Sequence, residues 1–147
     1  MKILYVDIDG VLANFNKGVA NSGLAQKYKG RPDKIPGVYK NLTLIEGAKI
    51  SVEKLFNSGL YDIYFLSSAP WDNPRAWTHK RLWIEKHFGP QTRKRLILSH
   101  RKDLQTGDYL IDDSPRNGAI DFNGKWIHFG SEEFPSWKDV LNFLLPK

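Results

Sequence analysis

Three short apolar runs in this chain each stop at a polar cluster. Ile3-Leu4-Tyr5-Val6 runs into Asp7-Ile8-Asp9-Gly10, Ile63-Tyr64-Phe65-Leu66 into Ser67-Ser68, and Tyr109-Leu110-Ile111 into Asp112-Asp113. None alternates apolar with polar residues, so each reads as a strand buried on both faces, the kind found in parallel sheets. Leu96-Ile97-Leu98 and Trp126-Ile127-His128-Phe129 add two more. Between these runs lie helical patterns. One covers Gly47 to Phe56; another starts at Asp72-Asn73-Pro74, carries Trp77, Ile84 and Phe88 on one stripe, and stops at Gly89-Pro90. A last helix starts at Pro135 or Ser136. Strands alternating with helices predict an α/β fold, a doubly wound parallel sheet with crossover helices.

Residues ~14–28 are weakly helical, because Gly18 and Gly23 interrupt them. Residues 29–45, with Gly30, Pro32, Pro36 and Gly37, predict an irregular excursion. The 147 residues suit one domain, 1–147, with a small insertion at about 14–46 after the first strand. No cysteine is present, which excludes disulfides, Cys-based zinc sites and thiol catalysis. The N-terminal apolar run is too short for a signal-peptide core, and no run approaches the ~18 residues of a membrane span. A cytoplasmic protein with no membrane partner is the expectation.

The net charge is +6. Much of it falls in one stretch: Lys80, Arg81, Lys86, Arg93, Lys94, Arg95, Arg101 and Lys102. Such a run reads first as a solvated helix face and loop, with attraction for phosphorylated ligands or nucleic acid as the alternative. His79, His87, His100 and His128 show no metal-ligand spacing and read as structural or surface residues.

In open parallel sheets the ligand site lies outside the carboxyl ends of the strands, so the three polar clusters converge on one rim. A lone Asp-x-Asp-Gly is most often a turn, and Asp-Asp-Ser-Pro a helix start. All three at strand ends, in this order, point to a site. Several carboxylates meeting there repel one another unless a cation lies between them, and an all-oxygen donor set suits Mg²⁺.

On these residues the chain resembles the haloacid dehalogenase superfamily of phosphatases, and within it the 5′(3′)-deoxyribonucleotidases. The resemblance rests on Ile3 to Asp7-Ile8-Asp9-Gly10-Val11-Leu12, on Phe65-Leu66-Ser67-Ser68, on Lys102, and on Leu110-Ile111-Asp112-Asp113. It implies a Mg²⁺-dependent phosphomonoester hydrolase working through an aspartyl-phosphate. Asp7 would be the nucleophile, Asp9 the general acid and base, and Ser67 a phosphate ligand, with Ser68 as the alternative in that role. Lys102 would be the positive charge beside the phosphoryl group, chosen over Lys94, which precedes the third strand. Asp7, Asp9 (through its carbonyl), Asp112 and Asp113 would surround the metal.

The resemblance makes the 14–46 insertion a cap that selects substrate. It is short, with only Phe15, Tyr28 and Tyr39 as aromatics. Trp71, just past Ser67-Ser68-Ala69-Pro70, is the candidate to stack on a base. The expected partner is a small phosphorylated substrate, a nucleoside monophosphate. The alternatives are another phosphate ester, a nucleic-acid 3′-end, or an inactive nucleic-acid-binding relative.

Overall fold

A computed structural model describes all 147 residues. Five strands form one parallel sheet: β1 (Lys2–Val6), β2 (Tyr61–Ser67), β3 (Leu96–Leu98), β4 (Tyr109–Asp112) and β5 (Lys125–His128). Their order is β3-β2-β1-β4-β5, so β1 is central and the chain switches direction across the sheet at β1. Val6 is in register with Phe65 on one side and Ile111 on the other. That register places the residues after Val6 between the ends of β2 and β4.

The four helices are α1 (Phe15–Asn21), α2 (Ala48–Ser58), α3 (Pro74–Phe88) and α4 (Trp137–Leu144). α2, α3 and α4 send Val52, Leu55, Trp83, Ile84, Phe88, Val140 and Leu144 into one core with Leu4, Val6, Ile63, Phe65, Ile111 and Ile127. The opposite face is thinner. There Tyr5, Leu66 and Leu110 pack against Ala119, which opens a 3-10 turn at Ala119–Asp121, and against Phe122 just after it. Right-handed crossovers explain the split, because reversing direction at β1 sends the later connections to the other face. Both faces are covered, as in a doubly wound sheet, but unequally.

Pro74 opens α3 at its first turn, and its fixed φ suits that position. Along the stripe expected for α3, Ile84 and Phe88 are buried. Trp77 lies two turns before Ile84, and its indole donates to Pro70 O instead of entering the core. The weak helix ahead of residue 28 is shorter than the sequence suggests. α1 ends at Asn21, where the Ser22 hydroxyl donates to Val19 O and Gly23 turns with φ +73°. Within α1, Gly18 leaves room for the Leu42 side chain, which would lie 2.2 Å from a Cβ at that position.

Residues 22–46 are turns around one 3-10 turn at Pro32–Lys34. Side chains of α3 and of Asn73, the residue that caps it, hold this excursion. Trp83 Nε1 donates to Leu42 O at 2.8 Å, and Asn73 Nδ2 to Asp33 O at 2.9 Å. No helix is long and apolar enough to cross a membrane.

Candidate active site

The loop after β1 is shaped by backbone bonds that bring it back on itself. Leu12 and Ala13 N–H both donate to Ile8 O, and Gly10 N–H to Ala13 O. Val11 O accepts from the Trp137 indole at 2.8 Å, so α4 fixes this loop from below. Gly10 has φ +79°, and a Cβ there would lie 2.0 Å from Asp113 Oδ2. Only glycine permits both the turn and the seat of the Asp113 carboxylate against it.

Asp7 N–H bonds Ile111 O at 2.9 Å, which sets Asp7 beside Asp112. Asp112 is itself held at its carbonyl by the Trp126 indole (3.0 Å) and at its carboxylate by Ser114 N–H (3.0 Å). Ligand oxygens of Asp7, Asp112 and Asp113 all lie within 4.8 Å of one another. Between Asp7 and Asp112 sits Lys102, whose ammonium is 3.1 Å from Asp7 Oδ1 and 2.5 Å from Asp112 Oδ2. All three side chains are nearly buried.

Burial pushes the Asp7 carboxyl up to about 7, with Lys102 opposing the shift and Asp112 adding to it. Burial also raises Asp112, again against the pull of Lys102. Asp113 stands at the mouth and is pushed up to about 6, by desolvation against the site walls and then by the charge of Asp7. Burial alone would lower Lys102; Asp7 and Asp112 together hold it above its ordinary value. Three carboxyls that resist ionisation side by side form an oxygen donor set suited to a small divalent cation, whose charge would relieve all three.

The Asp9 carboxylate stands apart from this group. Its Oδ2 pairs with the ammonium of Lys80, and its Oδ1 is buried without a hydrogen-bond partner. Lys80 is 2% exposed, so it does not belong to a solvated helix face as the charge run suggested. It lies on the same side of α3 as Ala76, Trp83 and Ile84. Its ammonium also donates to Ser67 Oγ at 3.0 Å and lies 4.5 Å from the centre of the Tyr39 ring. A buried ammonium with a carboxylate, a hydroxyl and a ring face around it is a well-compensated charge. The only signal for it in sequence is helical spacing: position 80 falls four residues before Ile84 and eight before Phe88 on the apolar stripe.

Ser67 is buried, and its hydroxyl is engaged by Lys80 and by its own donation to Ser68 O at 2.8 Å. Ser68 faces the cavity, and its hydroxyl accepts from Asn117 Nδ2 at 3.2 Å. The rival Lys94 is exposed, ahead of β3.

These groups open into one cavity of about 870 Å³. Asp7, Asp9, Lys102, Asp112 and Asp113 form its floor, and Phe15, Tyr39 and Pro32 from the insertion form one wall. Phe15 and Tyr39 meet edge to face at 5.1 Å. Tyr28 is not on that wall; it packs under the Arg31 guanidinium at 5.3 Å. Trp71 and His100 also line the cavity. Trp71 is 79% exposed, so it does not cover the core edge. It contacts Trp77 and His100, each at 6.4 Å between ring centres, and the His100 ring nitrogen is 2.8 Å from Ala69 O. His100, read from sequence as structural or surface, thus lines the site.

A family model described as 5′ nucleotidase, deoxy (pyrimidine), cytosolic type C protein matches residues 27–142, most of the chain and the part that carries Ser67, Lys102 and Asp112. The chain belongs to this family. Like the family, it has the α/β core of the haloacid dehalogenase superfamily, and its enzyme class is phosphatase. A protein of Vibrio phage KVP40, provisionally named a 5′(3′)-deoxyribonucleotidase, is 46% identical over 97% of this chain and 84% of its own length. The human 5′(3′)-deoxyribonucleotidase, cytosolic type, is 28% identical over 92% of this chain and 77% of its own. A Staphylococcus epidermidis protein, again provisionally named a 5′(3′)-deoxyribonucleotidase, is 32% identical over 75% of this chain and 64% of its own. In this type C nucleotidase family member, Asp7, Asp9, Ser68, Lys102, Asp112 and Asp113 line the cavity, whereas Ser67 is buried beside Lys80 and does not reach it.

Proposed function

We propose that this phosphatase hydrolyses nucleoside monophosphates, deoxy forms preferred, through a phosphorylated Asp7, with Mg²⁺ as cofactor. The observation that carries the mechanism is the division of labour between the two carboxylates after β1. Asp7 stands in the carboxylate group with Lys102, whereas Asp9 is tied to Lys80 through one oxygen and keeps the other without a partner. A nucleophile and a proton carrier need such different surroundings.

In the first half-reaction an Asp7 carboxylate oxygen bonds to phosphorus as the bond to the ester oxygen breaks. Asp9, carrying a proton on Oδ1 as it enters this step, gives that proton to the leaving oxygen and becomes the carboxylate. In the second, water attacks the phosphorus of the acyl phosphate and passes a proton to Asp9, releasing inorganic phosphate and free Asp7. Lys80 holds Asp9 in place through both steps, and Ser67 orients Lys80. Lys102 neutralises phosphoryl oxygens beside Asp7. The Ser68 hydroxyl on the cavity wall binds another. Positioning and charge compensation of this kind are most of what phosphoryl transfer requires.

Asp7, Asp112 and Asp113 would hold the Mg²⁺, with the Asp9 carbonyl as a further donor. Bound there, the ion would let an anionic nucleophile approach an anionic phosphate. The donor set supports this fit: three carboxylates within 4.8 Å, all oxygen, with no thiol in the chain.

The names of the relatives support nucleotide substrates. The cavity supports them too, with the half-buried Phe15 and the exposed Trp71 in its lining as surfaces for a base. The testing experiment measures phosphate release from deoxy- and ribonucleoside monophosphates, sugar phosphates and p-nitrophenyl phosphate, with and without Mg²⁺. The expected result is turnover only with Mg²⁺, fastest on deoxynucleotides. If no nucleotide exceeds the generic ester, the nucleotide assignment fails; if chelation leaves full activity, the metal assignment fails.

A further inference from the structure

Beside the catalytic cavity, on the far side of Trp77, lies a second open groove of about 860 Å³. It runs along β3, the edge strand of the sheet. At its upper end are Trp77 and Leu98, and Leu98 is in register with Ser67, the residue before the cavity-lining Ser68. At its lower end are Arg81, Arg93 and Lys94. These three cations face one carboxylate, Glu85, which pairs with Arg81 at 2.9 Å. Arg93 and Lys94 are exposed and make no ion pair. Neighbouring Arg95 and Arg101 are different: Asp62 and Asp103 occupy them.

The two hollows are joined by aromatic rings. Trp71 and His100 line the catalytic cavity, Trp77 lines the groove, and all three rings lie within 6.4 Å of one another. Trp77 and His100 are each anchored to the backbone of 69–70, which fixes two rings of this ledge. From Leu98 back to Lys94 is four residues, at most about 14 Å of chain. A charged groove starting at a stacking ledge is the pattern of single-strand recognition: aromatics take bases and cations track phosphates. A mononucleotide has one phosphate, and the catalytic cavity uses it. A ligand that engages Arg93 and Lys94 as well must carry further phosphates outside that cavity.

We propose that the groove binds the internal phosphates of a single-stranded oligonucleotide whose terminal phosphomonoester enters the catalytic cavity. The proposal rests on the nucleotidase reading of that cavity. The chemistry is unchanged: water and the terminal ester give a free terminal hydroxyl and inorganic phosphate. Trp71 is 79% exposed, so the strand leaves past it.

The test compares kcat/KM, with Mg²⁺, for thymidine monophosphates and for oligothymidylate trimers phosphorylated at the 3′ or the 5′ end. The wild type should favour one of the trimers at least tenfold at low salt. Its log kcat/KM should fall more steeply with log salt than for the mononucleotide, by about 0.7 per added phosphate contact. The double variant Arg93→Glu/Lys94→Glu should lose this advantage and the extra slope while keeping mononucleotide turnover. Equal kcat/KM on trimers and mononucleotide in the wild type overturns the groove and leaves the mononucleotide reading standing. A trimer preference that survives the double charge reversal also overturns it. Failure on every nucleotide, with p-nitrophenyl phosphate still hydrolysed, overturns both readings.

Discussion

Lys80 reaches Asp9 from inside the protein: a buried ammonium on α3 pairs with one oxygen of a carboxylate 71 residues earlier in the chain and leaves the other oxygen unpaired. The pair links the loop after β1 to the helix that also anchors the insertion. Asp9 therefore has a fixed orientation before any substrate arrives, which is what a proton carrier needs.

Lys80→Met should lower kcat by about 10²–10⁴, the usual worth of a positioned acid or base, with a smaller change in KM. It leaves Asp9 beside an apolar chain, and Asp9 is partly solvated. The stability loss should be roughly 2–3 kcal/mol, below the 3–5 of a wholly buried pair that loses one partner. Stopped-flow turnover together with urea unfolding separates the two effects. A variant with wild-type kcat would show that Lys80 serves packing alone.

Asp7→Asn should abolish turnover and leave the fold intact, since the amide keeps the shape of the carboxylate. Beryllium fluoride should bind the wild type at Asp7 and not the variant, as read by fluorine NMR. Retention of more than a few per cent of activity would falsify the aspartyl-phosphate route.

The raised Asp7 carboxyl makes a prediction for pH. A carboxyl ordinarily near 3.8 and held at about 7 in the folded protein binds its proton more tightly folded than unfolded. Its contribution to stability is full below about pH 4 and is lost as pH rises through 7. Without divalent cations, the melting temperature of wild type minus that of Asp7→Asn should therefore fall between pH 4.5 and 8. Mg²⁺ needs the ionised carboxylates, so adding it should reverse the trend, with the stabilisation growing through pH 6–7. Calorimetry at several pH values checks both. A metal-free difference that rises with pH contradicts the assigned burial of Asp7.

Trp71→Ala should lower kcat/KM for deoxynucleotides by about five- to 150-fold, the equivalent of roughly 1–3 kcal/mol of base stacking. The generic ester p-nitrophenyl phosphate should be nearly unaffected. Since Trp71 is exposed, the melting temperature should hardly move. Equal losses on both substrates would mean that Trp71 shapes the phosphate site and not the base.

Gly10→Ala tests the seat of Asp113. The added methyl group collides with the Asp113 carboxylate in a turn that already has positive φ. Mg²⁺ affinity, measured by calorimetric titration, should drop at least tenfold, and Asp113→Ala should reproduce the loss. Unchanged affinity in both variants would remove Asp113 from the metal group.

The sheet and its functional rim follow from local residue pattern alone. Apolar runs such as Ile3-Leu4-Tyr5-Val6 have no choice but burial on both faces, and only a parallel sheet with crossovers offers it. A parallel sheet collects its strand ends at one edge, so Asp7, Ser67 and Asp112 had to be neighbours. The polar type of each residue was enough there, because the strand end fixes where the side chain goes. Tertiary structure decided the rest, where a residue's role depends on what lies opposite it. Lys80 sits in a run of cations, and nothing local separates it from Arg81; only the packing of α3 over the β1 loop turns one inward to Asp9 and leaves the other in solvent. Ser67 and Ser68 are chemically alike, and the ending of β2 between them decides which meets Lys80 and which meets the cavity. His100 and Trp77 come together across 23 positions of sequence because Pro70 and Ala69 offer both of them carbonyls at the rim. Such pairings are long-range and specific to this packing, and local pattern carries no record of them.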